Sequence, residues 1–237
     1  MSSSTSAIPS SKKGEPIAPW WNTALVLLVL FTGSAVSARQ HTLEHVNLPG
    51  LSVRLSGYLT VIAEEWFAVL LVWLALKPRG LSIAGLIAGR WQGRREFRRD
   101  LGLGVSVIIV GIPLMAIMGR LIGAGSGPTD YLPKTPFEAI IWLLVAATAG
   151  FCEELIFRGY LTRQFTAWTG SVTLALLIQA VAFGLAHGYQ FRSMIVIGVY
   201  GWLLGLLASW RKSLRPGMMA HTLQDSLGGL LAFFFLK

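Results

Sequence analysis

Ala149-Gly150-Phe151-Cys152-Glu153-Glu154-Leu155-Ile156-Phe157-Arg158 sets two adjacent carboxylates and a guanidinium at the end of an apolar run that begins near Phe137. Each ionisable group at the centre of a membrane helix costs on the order of 3 kcal/mol, so its presence marks a functional site or a pairing that holds one together. Read as a helix, Glu154 and Arg158 stand at i and i+4 on one face and can pair. Glu153 points about 100° away. Its face carries Ala146, Ala149 and Gly150, small enough for another helix to approach closely. One glutamate is tied down and the other is presented. The competing reading of this stretch is a purely architectural ion pair, since buried pairs fix packing.

The composition around it agrees with a membrane setting. Of 237 residues 54% are hydrophobic and 13% charged, which places the chain among polytopic membrane proteins and not among soluble domains. The expected fold class is all-α: a membrane helix bundle of about seven to eight transmembrane helices. The net charge of +9 would suit nucleic acid, but the basic residues sit in short loops between apolar runs, as beside anionic lipid headgroups. No nucleic-acid partner is expected. Cys152 is the single cysteine, so no intrachain disulfide forms, and with no activating base beside it the thiol reads as packing.

Outward from the motif, the expected spans are residues 20–36, 57–76, 101–123, 137–157, 171–187, 194–210 and 216–236. Residues 1–19, rich in Ser and Pro, read as a disordered tail. Trp20 and Trp21 open an aromatic belt, and a retained anchor is preferred there to a cleaved signal peptide ending at Val36-Ser37-Ala38. His41 and His45 have ligand-like spacing, but without the following glutamate of a zinc-protease helix they are not taken as ligands. Glu64 and Glu65 form a second acidic pair with no arginine at a helical offset, and read as structural. Residues 77–100 hold the densest positive cluster, including Arg94, Arg95, Arg98 and Arg99; the positive-inside rule puts this loop and the N-terminus in the cytoplasm of a cell-membrane protein, with residues 81–88 as an amphipathic helix on the membrane surface. Gly198, Gly201 and Gly205 mark a close helix contact with no chemistry attached. No internal repeat of a transporter kind is found.

Two further constellations fall downstream. Phe183 and His187 share one helical face, and so do His221 and Asp225. With Glu153 they supply a carboxylate, two imidazoles and a second acid, the inventory of a hydrolytic site. The ordered set Glu153-Glu154-x-x-x-Arg158, Phe183-x-x-x-His187 and His221-x-x-x-Asp225 resembles the CPBP family of intramembrane proteases, which includes CAAX prenyl endopeptidases related to the Ras-converting enzyme and bacterial relatives linked to bacteriocin processing and immunity. The resemblance covers residues 137–236. It divides the chain into a tail (1–19), N-terminal helices with the basic loop (20–136) and a catalytic bundle (137–237).

The resemblance implies that Glu153 activates water with help from His187, that His221 and the residue at 225 face the oxyanion, and that Glu154 with Arg158 is a supporting ion pair. The family commonly carries Asn where this chain has Asp225, and an amide donates to an oxyanion whereas an ionised carboxylate repels it. Asp225 is then protonated, or orients His221, or ligates a cation. Glu153, His187, His221 and Asp225 are donor types that hold Zn²⁺ with an open position; the family has been read both as metal-dependent and as metal-free, so the cofactor is none or Zn. The expected substrate is a membrane-associated or prenylated peptide. The alternatives are a non-catalytic interaction or bacteriocin-immunity protein on the same scaffold, and a channel or transporter with an acidic proton path. One difficulty stands against the site: straight spans with these bounds set Glu153 and His187 about 10 Å or more apart along the membrane normal.

Overall fold

The computed structural model describes residues 14–40, 50–88, 90–124, 131–188 and 190–235, and every regular element among them is a helix. His41 and His45 lie outside the described residues. In chain order the elements are α1 (Trp20–Gln40), α2 (Val53–Leu76), α3 (Ile83–Ile87), α4 (Arg94–Ile122), α5 (Pro136–Glu153), a π-helical segment (Glu154–Leu161), α6 (Thr162–Thr169), α7 (Val172–Ala186), α8 (Phe191–Arg211) and α9 (Arg215–Phe235). The fold is an all-α bundle. Side-chain caps start several helices: Ser52 accepts from the Leu55 amide at α2, Ser171 from that of Leu174 at α7, and Thr135 with Glu138 forms a reciprocal capping box at α5.

Among the described residues four helices are long and apolar enough to cross a membrane: Val53–Arg79, Arg94–Ile122, Pro136–Thr169 and Phe191–Arg211. The other three expected spans differ. Among the described residues Trp20–Ala35 of α1 and Val172–Ala186 of α7 are shorter apolar helices, and α9 carries Arg215, His221, Gln224 and Asp225. These helices are held by their neighbours: α1 packs on α2 and α7, α7 on α8, and α9 on α5 and α4.

The difference that matters most for function is where the central helix ends. It does not stop near Phe157 but runs on from Pro136 to Thr169. Nothing in 158–169 breaks it, and the stop is Gly170, left-handed at φ 68, whose amide closes on the Thr166 carbonyl. Glu153 is therefore in mid-helix. The chain continues about 24 Å beyond it before turning, and α7 returns about 22 Å to His187, so the two reach the same depth. The separation expected from the sequence came from the wrong helix end. Around the polar pair the helix widens, with the Thr162 amide bonding the Phe157 carbonyl five residues back. Such π turns inside α-helices recur at functional sites.

Among the described residues the larger of two core clusters joins Val26 and Leu30 of α1 and Val72 and Leu76 of α2 to Leu155, Ile156 and Phe157, and the smaller gathers Tyr200 and Leu204 of α8 with Ala220 of α9. Ile17 and Ala18, expected in a disordered tail, are buried. The Ala18 amide donates to Gln164 Oε1 at 3.1 Å and its carbonyl accepts from Gln164 Nε2 at 2.8 Å. The apolar piece after α2 does not lie on the membrane surface: Leu86 is buried, the Leu214 amide donates to the Ile87 carbonyl, and Arg163 caps the Gly85 and Leu86 carbonyls. α4 also begins earlier than expected, taking in Arg94 to Arg99. Its buried Asp100 gathers Arg211 Nη2 at 2.7 Å, Arg215 Nε at 3.3 Å and Trp91 Nε1 at 3.0 Å, fastening α4 to the end of α8 and the start of α9.

The close approach expected at Gly150 is made by α9. A Cβ there would lie 2.1 Å from Thr222 Oγ1 and 2.6 Å from the Thr222 backbone nitrogen. Gly150→Val is expected to cost about 1–3 kcal/mol by forcing α9 outward, whereas Gly102→Ala, with open space around it, is expected to be neutral. Melting curves of the two purified variants check this.

Candidate functional site

Three elements bring the polar residues together: the junction of α5 with the π segment, the end of α7, and the first half of α9. His187 Nε2 is 3.8 Å from Glu153 Oε2, and His221 Nε2 is 3.7 Å from the same oxygen. His221 Nε2 also lies 3.5 Å from Asp225 Oδ2, one turn on. On the far side of that ring, Nδ1 is 3.2 Å from Glu154 Oε1, which is itself 3.0 Å from Arg158 Nη1. Glu154 is thus shared between the arginine and the histidine, a role the i, i+4 spacing does not reveal.

The hydrogen bonds fix which nitrogens do what. His187 Nδ1 is 2.8 Å from the Phe183 carbonyl. A carbonyl only accepts, so Nδ1 carries the hydrogen and Nε2 of the neutral ring turns its lone pair toward Glu153. His221 Nδ1 likewise donates to Glu154, and a hydrogen on its Nε2 meets acceptors on both sides, Glu153 and Asp225. The ring contacts of 3.7 and 3.8 Å around Glu153 Oε2 are too long for direct hydrogen bonds. They are the spacing at which a water at the apex reaches both groups.

Phe183 organises the group from behind. Its ring centre is 4.5 Å from that of His187, 6.0 Å from that of His221 and 5.0 Å from that of Phe157, and the Arg158 guanidinium lies 4.1 Å over its face. The glycine stripe of α8 turns out to serve this arrangement. A Cβ at Gly201 would sit 2.6 Å from Phe183 Cδ1, and the Gly201 carbonyl accepts from Arg158 Nη2 at 3.1 Å and from Gln179 Nε2 at 3.3 Å. Asp225 is held through its own carbonyl, which accepts from Trp142 Nε1 at 2.8 Å.

The second acidic pair lies closer to the cluster than its reading as structural implies. Glu65 of α2 is buried, and its carboxyl lies within hydrogen-bonding reach of Glu153. Glu64 rests against the Gly33 backbone of α1. The reading of both as structural is corrected for Glu65, which borders the site; spacing within one helix says nothing about which helix stands opposite. Cys152 is fully buried and packs. Among the described residues no three His, Cys, Asp or Glu side chains are placed to hold a metal ion. The Nδ1 atoms are occupied by Phe183 and Glu154, so only the Nε2 atoms face the cluster. The site does not fit Zn²⁺ in this arrangement, and no step below passes through a metal.

Comparison with known proteins bears on the same segment. Residues 135–227 match the family model described as type II CAAX prenyl endopeptidase Rce1-like. Over 130 residues the chain is 27% identical to an uncharacterized protein, YpbD, of Bacillus subtilis (strain 168). That match takes in 53% of this chain and 64% of YpbD, so the chain spans just under two thirds of that relative. No solved structure matches the chain. The matched residues run from the cap of α5 into α9 and include Glu153, Glu154, Arg158, His187, His221 and Asp225. This chain is a membrane protein, and the segment that carries its carboxylate and histidine cluster is the one that matches the Rce1-like family model.

Proposed function

We propose that the chain is an intramembrane endopeptidase of the CAAX-processing kind, hydrolysing a peptide bond in a membrane-associated, prenylated protein or peptide. The observation that carries this reading is the placement of Glu153 Oε2 3.8 Å from His187 Nε2 and 3.7 Å from His221 Nε2. Water at that apex donates one hydrogen to Glu153 and the other to His187, leaving an oxygen lone pair for the substrate carbonyl. As the C–O bond forms, Glu153 takes the proton and the carbonyl oxygen becomes an oxyanion, to which His221 Nε2–H donates. Glu154 holds His221 in that orientation, and Asp225 steadies the same nitrogen from the adjacent turn. Collapse of the tetrahedral intermediate breaks the C–N bond as the proton on Glu153 passes to the leaving nitrogen, and the second hydrogen of the water leaves the new carboxyl group through His187 to the amine, so a carboxylate and an ammonium result.

The chain is placed in the cell membrane with its N-terminus and residues 77–100 on the cytoplasmic side, where the exposed Arg94, Arg95, Arg98 and Arg99 meet anionic headgroups. The test is cleavage by the purified chain in liposomes of a peptide that bears a prenylated cysteine three residues from its C-terminus, read by mass spectrometry as release of the terminal tripeptide. Wild type is expected to release it, and His187→Ala to do so on the order of 100-fold more slowly or worse. Absence of cleavage by the folded wild type, on this peptide and on unprenylated membrane peptides, overturns the reading and leaves a non-catalytic interaction or immunity protein.

A further inference from the structure

Glu65 is the buried carboxyl that the steps above do not use. It is 6% exposed, and its Oε2 has no hydrogen-bond partner among the described residues. Its carboxyl lies within hydrogen-bonding reach of Glu153, whose Oε2 is also buried and unbonded. Packing enforces the meeting. One residue further along α2, Trp66 stacks on Phe151 at 5.6 Å, and two turns back Tyr58 meets Trp142 edge-on at 5.5 Å, so α2 is clamped to α5 on both sides of the contact.

Two carboxylates in contact and out of water cannot both be ionised, and a single proton between them turns repulsion into a short O–H···O⁻ bond. The surroundings decide which of the two carries it. Among the described residues the charged groups acting on Glu65 are acids: Glu64 on its own helix, Glu153 on α5 and Asp225 on α9. Glu153 faces two imidazoles, on α7 and α9, and is the more exposed of the pair, with 14% of its side chain accessible. Resting on the proposed hydrolysis, we infer that Glu65 is a positioning residue for it: the protonated partner of Glu153, whose O–H donates to that carboxylate and holds it toward His187 and His221. When Glu153 takes the proton of water, the pair holds two protons, and it returns to one when the amine leaves.

The test uses the full chain in liposomes with the prenylated peptide and two substitutions. Glu65→Gln keeps size and supplies an amide N–H in place of the O–H; Glu65→Ala supplies no donor. Glu65→Ala is expected to lower kcat on the order of 100-fold with KM little changed, as a misplaced base does. Glu65→Gln is expected to keep at least about tenfold more turnover than Glu65→Ala, because its amide still donates to Glu153. Infrared spectra give a readout independent of activity and applicable to the isosteric variant alone. The C=O stretch of a protonated carboxyl, recognised by its shift in D₂O, is expected to lose intensity in Glu65→Gln relative to wild type. Equal turnover of the two variants, or a protonated-carboxyl band of unchanged intensity in Glu65→Gln, overturns the inference. An inactive Glu153→Gln beside a fully active Glu65→Ala refutes the pairing alone, whereas an active Glu153→Gln refutes the hydrolytic reading beneath it.

Discussion

Glu153→Gln is expected to leave a folded protein whose turnover falls by a factor on the order of 100 to 10,000. The substitution keeps the length and volume of the side chain and removes the one property the reaction needs, a carboxylate that accepts a proton. It also changes the contact with His187. An amide N–H turned toward the lone pair of Nε2, now 3.8 Å from Glu153 Oε2, would occupy the nitrogen that otherwise receives water. Stability should move the other way. Glu153 shares its surroundings with Glu65 and Asp225, and an isosteric amide in its place removes a buried negative charge while its carbonyl still accepts a hydrogen from Glu65, so the melting temperature is expected to hold or rise while activity is lost. A site of this kind trades folding stability for chemistry. Peptide release and a melting curve on the same preparation check both halves, and full turnover in the variant removes Glu153 as the base.

How far the sequence alone reaches can be argued from single residues. Contacts within one helix were readable: Glu154 with Arg158, Phe183 with His187, and His221 with Asp225 all follow from i, i+4 spacing, and all three pairs meet in the structure. So was the need for small residues at Gly150, where Thr222 arrives. What was not readable lies between helices or at their ends. Phe157 looks like the end of a span because Arg158 follows it, yet a helix tolerates an arginine whose charge is matched inside the bundle, and only the left-handed turn at Gly170 stops it. That shift of twelve residues decides whether Glu153 and His187 can meet. Glu65 has no basic partner on its own helix, and nothing in the spacing of α2 says that the carboxyl of Glu153 on α5 stands beside it. Residues 81–88 have the pattern of a surface helix, but the carbonyls of Gly85, Leu86 and Ile87 are taken by Arg163 and Leu214, long-range bonds that no local pattern encodes.

Glu154→Gln is expected to be the mirror image of the Glu153 variant, costing stability first. Both side chains of the Glu154–Arg158 pair are fully buried at 3.0 Å, so removing the carboxylate strands a guanidinium with only the Gly201 carbonyl and the Phe183 face as partners. Breaking a buried pair in this way costs roughly 3 to 5 kcal/mol, which should appear as poor yield and a lowered melting temperature. Arg158→Ala is expected to fall in the same range, since it leaves Glu154 buried with His221 as its remaining partner. The two changes together should cost less than their sum, because each alone leaves the other's charge exposed to a low-dielectric interior and the double change removes both. Turnover adds a second discriminator. Glu154 Oε1 also accepts from His221 Nδ1, and glutamine offers one acceptor oxygen for two donors, so the protein that does fold is expected to turn over more slowly. Arg158→Ala, which keeps that acceptor, is expected to lose stability without an equal loss of kcat per folded molecule. Additive melting losses would show that the pair does not interact as an ion pair. Equal kcat losses in the two single variants would show that Glu154 acts on His221 only through Arg158.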